Sequence, residues 1–228
     1  MKLSVSLTDS ERQGGLIYIL IDLFVLPAAL GILNSALEAP MPAAVLNFVF
    51  FSVNFLAVIL LMRKFLWKNI LQFGKNLPRN LLFAALGFLL YQVANYGISA
   101  LILHFVPDFA NVNDASITGM MDGHFWLMAI GTVLLVPVAE ELLYRGAVFR
   151  GLYGKSPALA YCVSIALFSF IHVLSFLGTA DFFTIFLCFV QYIPAGLIFC
   201  RCYEKTDSIL TPILIHTAVN LVGILALR

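Results

Sequence analysis

The sequence predicts an all-α membrane protein, a polytopic bundle of about seven transmembrane helices. Of its 228 residues, 62% are hydrophobic and only 11% are charged, whereas a soluble domain averages about 45–50% apolar and about 25% charged residues. The apolar residues form runs of about 20 along the whole chain, which is the length that a helix needs to cross a bilayer. We therefore predict one integral membrane domain over residues 1–228. A soluble protein, a disordered chain and a disulfide-stapled secreted domain are excluded.

Each predicted span is an apolar run with few charges. The first is expected to be retained, because it is longer than the core of a signal peptide and follows a tail of mixed charge. Between the second and third spans, Phe65–Arg79 intersperses lysines with aromatic and aliphatic residues and is expected to lie along the membrane interface. In order, the predicted spans are Gly15–Leu33, Pro42–Met62, Leu81–Leu103, Phe125–Leu143, Ala158–Leu177, Phe182–Cys200 and Ile209–Leu227.

Lysine and arginine are strongly biased to one side of this predicted topology. If the N-terminus is cytoplasmic, all thirteen of them except Arg228 fall in cytoplasmic segments, including Lys2 in the N-terminal tail. The predicted outer loop, His104–His124, contains aspartates but no basic residue. Because cytoplasmic loops carry an excess of lysine and arginine, we predict that the N-terminus is cytoplasmic.

Net charge and cysteine spacing narrow the possible partners. The formal net charge is +1, which gives no indication of nucleic-acid binding. The cysteines lie in or beside apolar runs and have neither metal-finger spacing nor the pattern of a disulfide framework. We predict that they are small packing residues. They are Cys162, Cys188, Cys200 and Cys202.

Two adjacent glutamates, Glu140 and Glu141, are notable because ionisable groups are costly at bilayer depth. They follow the apolar run Phe125–Ala139, about 22 Å long as a helix, which places them toward the cytoplasmic end of the fourth span. Neighbouring helical residues point in different directions, so the two carboxylates cannot share one role. Glu141 precedes Arg145 by four residues, the spacing of a helical ion pair. We predict that this pair braces the helix and that Glu140 faces a cavity.

Two histidines and one asparagine complete the polar set within the spans. His172 lies in the fifth span, and His216 and Asn220 share one face of the seventh because they are four residues apart. Any one of them alone would be explained as a hydrogen-bonded core residue, but polar groups on three spans of so apolar a chain indicate function. A carboxylate and an imidazole can hold and deprotonate water, and an imidazole and an amide can stabilise an oxyanion. The predicted chemistry is hydrolysis.

These residues form three ordered patterns that resemble the motifs of the CPBP family. This family comprises the CAAX prenyl protease and bacteriocin-processing intramembrane endopeptidases, also called Abi or type II CAAX proteases. The resemblance covers about residues 125–227, the predicted catalytic core. The patterns are Glu140-Glu141-x-x-x-Arg145, Phe168-x-x-x-His172 and His216-x-x-x-Asn220.

The resemblance implies a role for each motif residue. Glu140 would be the catalytic carboxylate and act with His172 on water. His216 and Asn220 would stabilise the tetrahedral intermediate, with the Glu141–Arg145 pair in support. The predicted enzyme is an intramembrane glutamate-dependent endopeptidase, a hydrolase that opens toward the cytoplasm and cleaves a membrane-bound protein or peptide.

We predict that no cofactor is needed. The alternative is a zinc-dependent version of the same protease, in which Glu140, His172 and His216 form a site with an open position for water. No His-Glu-x-x-His helix is present to favour it. A zinc site would also leave Asn220 and the remaining carboxylate to supply both the general base and the oxyanion stabilisation.

The sequence leaves the substrate and two other functions open. A prenylated CAAX protein, a bacteriocin leader and a signalling peptide fit the resemblance equally well. A non-enzymatic membrane immunity or scaffold protein of the same fold is one alternative, and the intact motif set argues against it. A proton-coupled carrier is another, but it predicts inverted repeats, of which the sequence has no sign.

Overall fold

The computed structural model describes residues 3–228, and this part of the chain is helical, with no β-strand. The predicted all-α class is therefore confirmed. Within the described residues, six helices are long and apolar enough to cross a membrane, and the 17-residue α9 falls slightly short of that length. The helices are α1 (Asp9–Ser35), α2 (Ala43–Leu61), α3 (Arg63–Lys75), α4 (Leu77–Phe105), α5 (Val112–Met121), α6 (Phe125–Tyr153), α7 (Pro157–Leu174), α8 (Phe182–Thr206) and α9 (Leu210–Ala226).

A capping box begins α1 and also connects it to α3. The Thr8 side chain accepts a hydrogen bond from the backbone N–H of Glu11, and Glu11 Oε2 accepts one from the backbone N–H of Thr8. This reciprocal arrangement satisfies two of the donors that a helix N-terminus leaves free. Glu11 Oε1 accepts a further bond, at 2.7 Å, from the backbone N–H of Phe65. One buried carboxylate thus fixes the starts of two helices.

The basic segments meet at one end of the bundle. Arg150, near the end of α6, donates hydrogen bonds to the backbone carbonyls of Leu3 and Val5 in the N-terminal tail. Ser4 in the same tail donates to Asp207 in the α8–α9 turn. This end is hereafter called the basic end. Lys2, which the sequence analysis counted here, lies outside the described residues. The assignment of this end to the cytoplasm stays a prediction.

The long helices pack as membrane spans do. α8 packs against α7 and α4, and α9 packs against α4 and α8. Large apolar side chains such as Ile32 and Leu89 point away from the bundle and are more than half exposed, as expected for lipid-facing residues. The cysteines are all free, and three of the four are buried, as expected for packing residues.

Helix α6 corrects one prediction about depth. The fourth span was expected to end at Leu143, with Glu140 near its cytoplasmic end. Instead α6 continues to Tyr153, and Glu140 lies near its middle, about 20 Å from either end. The continuation is possible because Glu141–Phe149 is buried in protein and its charged side chains pair with each other. Wide π-helical turns run through this segment from Glu141 to Arg150.

Two short helices flank the spans. α3 occupies most of the stretch predicted to lie along the interface: Phe65 and Asn69 are buried in it, whereas Trp67 and Leu71 are exposed. α5 lies within the predicted outer loop, where the sequence analysis expected only a connection. Asn111 caps α5 by accepting hydrogen bonds from the backbone N–H groups of Asn113 and Asp114.

Candidate active site

A cavity of about 1010 Å³ lies between the helices at the depth of Glu140. Glu140 from α6, His172 from α7 and Asn220 from α9 all line it. Residues of α1, α2, α4, α5 and α8 complete the wall, and they lie toward the half of the bundle that is remote from the basic end. The prediction that Glu140 faces a cavity is confirmed. Glu141 and His216 are not among the lining residues.

The predicted Glu141–Arg145 ion pair is present and fully buried. Arg145 Nη1 donates to Glu141 Oε1 at 2.9 Å, and both side chains have no exposed surface. The guanidinium also lies over the rings of Phe168 and Phe199, at 4.2 and 5.1 Å from their centroids. Because Phe168 is on α7 and Phe199 on α8, the arginine joins three helices behind the cavity. This arrangement braces α6 next to Glu140.

His216 lies between the two glutamates. Its Nδ1 donates to Glu141 Oε1 at 3.1 Å, and its Nε2 lies 4.0 Å from Glu140 Oε2. Its ring stacks on Phe199 with centroids 5.0 Å apart. Because a neutral imidazole has one N–H, the bond to Glu141 leaves Nε2 as a lone pair that faces Glu140. The sequence predicted that His216 and Asn220 act together. In the structure Asn220 lines the cavity, whereas His216 lies behind the Glu140 carboxylate and does not line it.

His172 is held in a defined tautomer at the cavity wall. Its Nδ1 donates to the backbone carbonyl of Phe168 at 2.8 Å, so its Nε2 remains free. The ring stacks on Tyr192 with centroids 4.0 Å apart, and the Tyr192 hydroxyl accepts a hydrogen bond from Asn113 at 3.0 Å. Sequence reasoning missed Tyr192, because no spacing along the chain relates α8 to His172.

Asn220 faces the cavity with part of its hydrogen-bonding capacity in use. Its Nδ2 donates to the backbone carbonyl of Thr132 at 2.8 Å. A primary amide has two N–H donors, so the second remains available toward the cavity. Thr132 lies in a wide π-helical turn of α6, Gly131–Leu135. The bond therefore fixes Asn220 against the same helix that carries Glu140.

The first two spans also contribute to the wall, which the sequence analysis did not foresee. Asp22 lies in a π-helical turn of α1, Ile21–Val25, and lines the cavity. Asn54 on α2 lines it too and accepts a hydrogen bond from the Tyr18 hydroxyl at 2.7 Å. The signal for Asp22 was present in the sequence: a carboxyl group within an apolar run needs a partner or a purpose. π-Helical turns occur frequently at functional sites.

The described residues contain no group of three or more His, Cys, Asp and Glu side chains that could hold a metal ion. The zinc alternative requires Glu140, His172 and His216 to converge on one point, and they do not form such a group. The metal-free mechanism stays a prediction.

Residues 122–222 match the family model of the Rce1-like proteins, described as type II CAAX prenyl endopeptidases. The family resemblance is confirmed. The matched segment contains Glu140, Glu141, Arg145, His172, His216 and Asn220. The match covers less than half of the chain and shows that this segment is similar to the Rce1-like proteins. The six long apolar helices support an integral membrane protein.

Relatives of this chain occur in Lactococcus lactis subsp. lactis (strain IL1403). The UPF0177 protein YbdI is 27% identical over 150 residues, which cover 64% of this chain and 74% of that protein. The UPF0177 protein YxdF is 27% identical over 154 residues, covering 65% and 78%. The UPF0177 protein YbdJ is 29% identical over 99 residues, covering 43% and 38%. These names state no activity, and no solved structure matches the chain.

Proposed function

We propose that this protein is an intramembrane endopeptidase that hydrolyses peptide bonds of a membrane-associated protein or peptide. One observation carries the proposal: Glu140 faces a large cavity, and its buried Oε2 has no hydrogen-bond partner among the described residues. An unsatisfied buried carboxylate oxygen is costly unless a ligand or a reaction uses it. The free Nε2 of His172 and the free amide N–H of Asn220 lie on the same wall.

In the first step, Glu140 and His172 activate water. Glu140 takes a proton from the water, and the oxygen attacks the carbonyl carbon of the scissile bond. His172 Nε2 accepts a hydrogen bond from the second O–H of the water and so orients it, and this nitrogen is free to accept because the ring's one N–H, at Nδ1, is bound to the Phe168 carbonyl. Its stacking on Tyr192 limits rotation of the ring. Such general base catalysis typically contributes 10²–10⁴-fold in rate, as an order of magnitude.

In the second step, negative charge develops on the carbonyl oxygen. We assign the first hydrogen bond to this oxyanion to the free N–H of Asn220, which Thr132 holds in place. His216 is not assigned as a second donor to the oxyanion. Its one N–H is bound to Glu141, so it can donate toward the reaction centre only after taking a proton at Nε2, the atom that faces Glu140.

In the last step, the tetrahedral intermediate collapses. The carbon–nitrogen bond breaks, and protonated Glu140 gives its proton to the leaving amine, which restores the carboxylate. The Glu141–Arg145 pair keeps Glu140 and His216 in their positions during the reaction and does not contact the substrate. Two observations support this supporting role: the ion pair is completely buried, and Arg145 contacts α7 and α8.

Membrane topology is part of the proposal. The bias of lysine and arginine supports a cytoplasmic basic end. The cavity wall lies toward the opposite end, so the proposal places the chemistry near mid-depth, with the open volume extending away from the basic end. The proposed volume thus lies on the side opposite to the cytoplasmic opening that the sequence predicted, and cysteine labelling distinguishes the two. An impermeant thiol reagent would be applied from each side to a cysteine introduced at Ser99, which lines the cavity.

Quantitative proteomics and peptidomics test the activity. Cells producing the wild-type protein are compared with cells producing Glu140→Gln at equal membrane levels. Glu38→Gln is the matched control, because it makes the same chemical change at an exposed position outside the cavity. We expect a membrane-associated precursor to accumulate, and its trimmed product to disappear, only in Glu140→Gln. Indistinguishable profiles, together with a phenotype that still requires Glu140, would instead favour a non-enzymatic scaffold or immunity protein.

A further inference from the structure

The charged groups that line the cavity are all acidic. Asp22 from α1, Asp114 from α5 and Glu140 from α6 line it, and no lysine or arginine of the described residues does. The chain as a whole is nearly neutral, with 13 basic and 12 acidic residues. The acidic wall is therefore a local property of this cavity.

Asp22 and Asp114 have no cationic partner among the described residues, and Glu140 has only His216 Nε2, at 4.0 Å from its Oε2. In contrast, Glu141 pairs with Arg145, and Glu204 pairs with Arg201. Asp22 lies within a span, where a carboxylate needs compensation, whereas Asp114 is exposed and lies on α5, outside the spans. A cationic ligand is the complement of both.

The cavity has further unsatisfied acceptors and is built to hold a ligand. Thr132 Oγ1 is buried without a hydrogen-bond partner among the described residues, its residue is only 9% exposed, and it lines the cavity beside Asn220. Glu140 Oε2 is equally unpartnered. Asp114 lies outside the spans, and the surrounding protein raises the pKa of its carboxyl group. A positively charged group in the cavity would offer hydrogen-bond donors to these oxygens.

We propose that the cavity binds a substrate segment that carries a lysine or arginine side chain, and that Asp22 and Asp114 determine this preference. The inference rests on the proposed function and adds a substrate class to it. In a low-dielectric cavity, complementary charge offsets the cost of removing the cation from water, whereas a neutral side chain can offer the two carboxylates hydrogen bonds but no opposite charge.

A binding measurement that is independent of cleavage tests the preference. The protein is placed in nanodiscs of zwitterionic phosphatidylcholine, and empty nanodiscs give the background. The probes are two leucine–alanine peptides with blocked termini and an uncharged fluorophore, one with a central lysine and one with a central glutamine. We expect the lysine peptide to bind about tenfold more tightly to the wild-type protein. This ratio should fall toward one in Asp22→Asn and in Asp114→Asn.

The control is Asp108→Asn, which removes an exposed carboxylate outside the cavity and should leave the ratio unchanged. If one cavity variant does not fold, the other still decides. Equal binding of the two peptides to the wild-type protein, or an unchanged ratio in the folded cavity variants, would overturn the inference. Products that depend on Glu140 but lack lysine or arginine near the cut would also overturn it and leave the protease proposal intact. The absence of any product that depends on Glu140 would refute the protease proposal, and the binding ratio would still decide the inference.

Discussion

Replacement of Arg145 by methionine is expected to destabilise the protein strongly. The substitution removes the cation but keeps an apolar side chain of similar length in the space between α6, α7 and α8. Glu141 then remains buried with His216 as its one hydrogen-bond donor in the described part of the chain. The substitution thus removes the cationic partner of the buried Glu141 carboxylate and leaves, among the described residues, only the hydrogen bond from His216.

The magnitude follows from the contacts that are lost. Removing one partner of a buried ion pair typically costs about 3–5 kcal/mol, because the other charge is left uncompensated. The guanidinium also loses its contacts with Phe168 and Phe199, which are worth about 0.5–2 kcal/mol each and lie at 4.2 and 5.1 Å. Proton uptake by His216 would recover part of the loss. We therefore expect a net cost of about 3–5 kcal/mol.

Thermal unfolding in detergent measures this cost. For a chain of this size, 1 kcal/mol shifts Tm by about 2–4 °C, so a decrease of about 10 °C is expected. Arg201→Met is the matched control: its ion pair with Glu204 is 56% exposed on the arginine side, and such surface pairs contribute about 0–1 kcal/mol. Equal Tm values for Arg145→Met and the control would refute the reasoning that the buried pair braces the site.

Three further predictions concern catalysis. Asn220→Ala should lower kcat by about 10²–10³-fold while Tm changes little, because it removes an oxyanion donor; an unchanged kcat would remove Asn220 from the mechanism. Tyr192→Ala should lower kcat by up to about 100-fold, because it frees the ring of His172. Tyr192→Phe, which loses only the bond from Asn113, should retain most activity, and equal loss in both variants would contradict a role for ring stacking. Incubation with a chelator should leave kcat/KM unchanged; loss of activity that added Zn²⁺ restores would favour the zinc alternative.

Local geometry made part of the site predictable. The division of roles between Glu140 and Glu141 followed from their angular separation on one helix, and the Glu141–Arg145 pair followed from its spacing. The structure confirms that Glu140 lines the cavity and that Glu141 pairs with Arg145, and the catalytic role of Glu140 stays a prediction. The membrane bundle itself was also predictable from the sequence, because composition and the length of apolar runs determine where a chain can span a bilayer.

Other features required the tertiary structure. Sequence periodicity gave His216 and Asn220 a shared face, but small differences in direction place one behind Glu140 and the other in the cavity wall. The end of the fourth span was placed too early, because the charged residues Glu141 and Arg145 are typical of the end of a membrane span. Only their burial and pairing show that the helix continues past them. Asp22 and Tyr192 join the site from distant parts of the chain, and no local pattern relates them to it.

The most direct test of the central claim follows the oxygen of water into the product. Purified protein is incubated in H₂¹⁸O with a peptide that spans a cut site mapped in cells, and the products are analysed by mass spectrometry. If Glu140 activates water, the wild-type protein and Glu38→Gln should place one ¹⁸O in the new carboxyl group, and Glu140→Gln should release no product. Equal release of labelled product by the wild-type protein and Glu140→Gln would contradict the account.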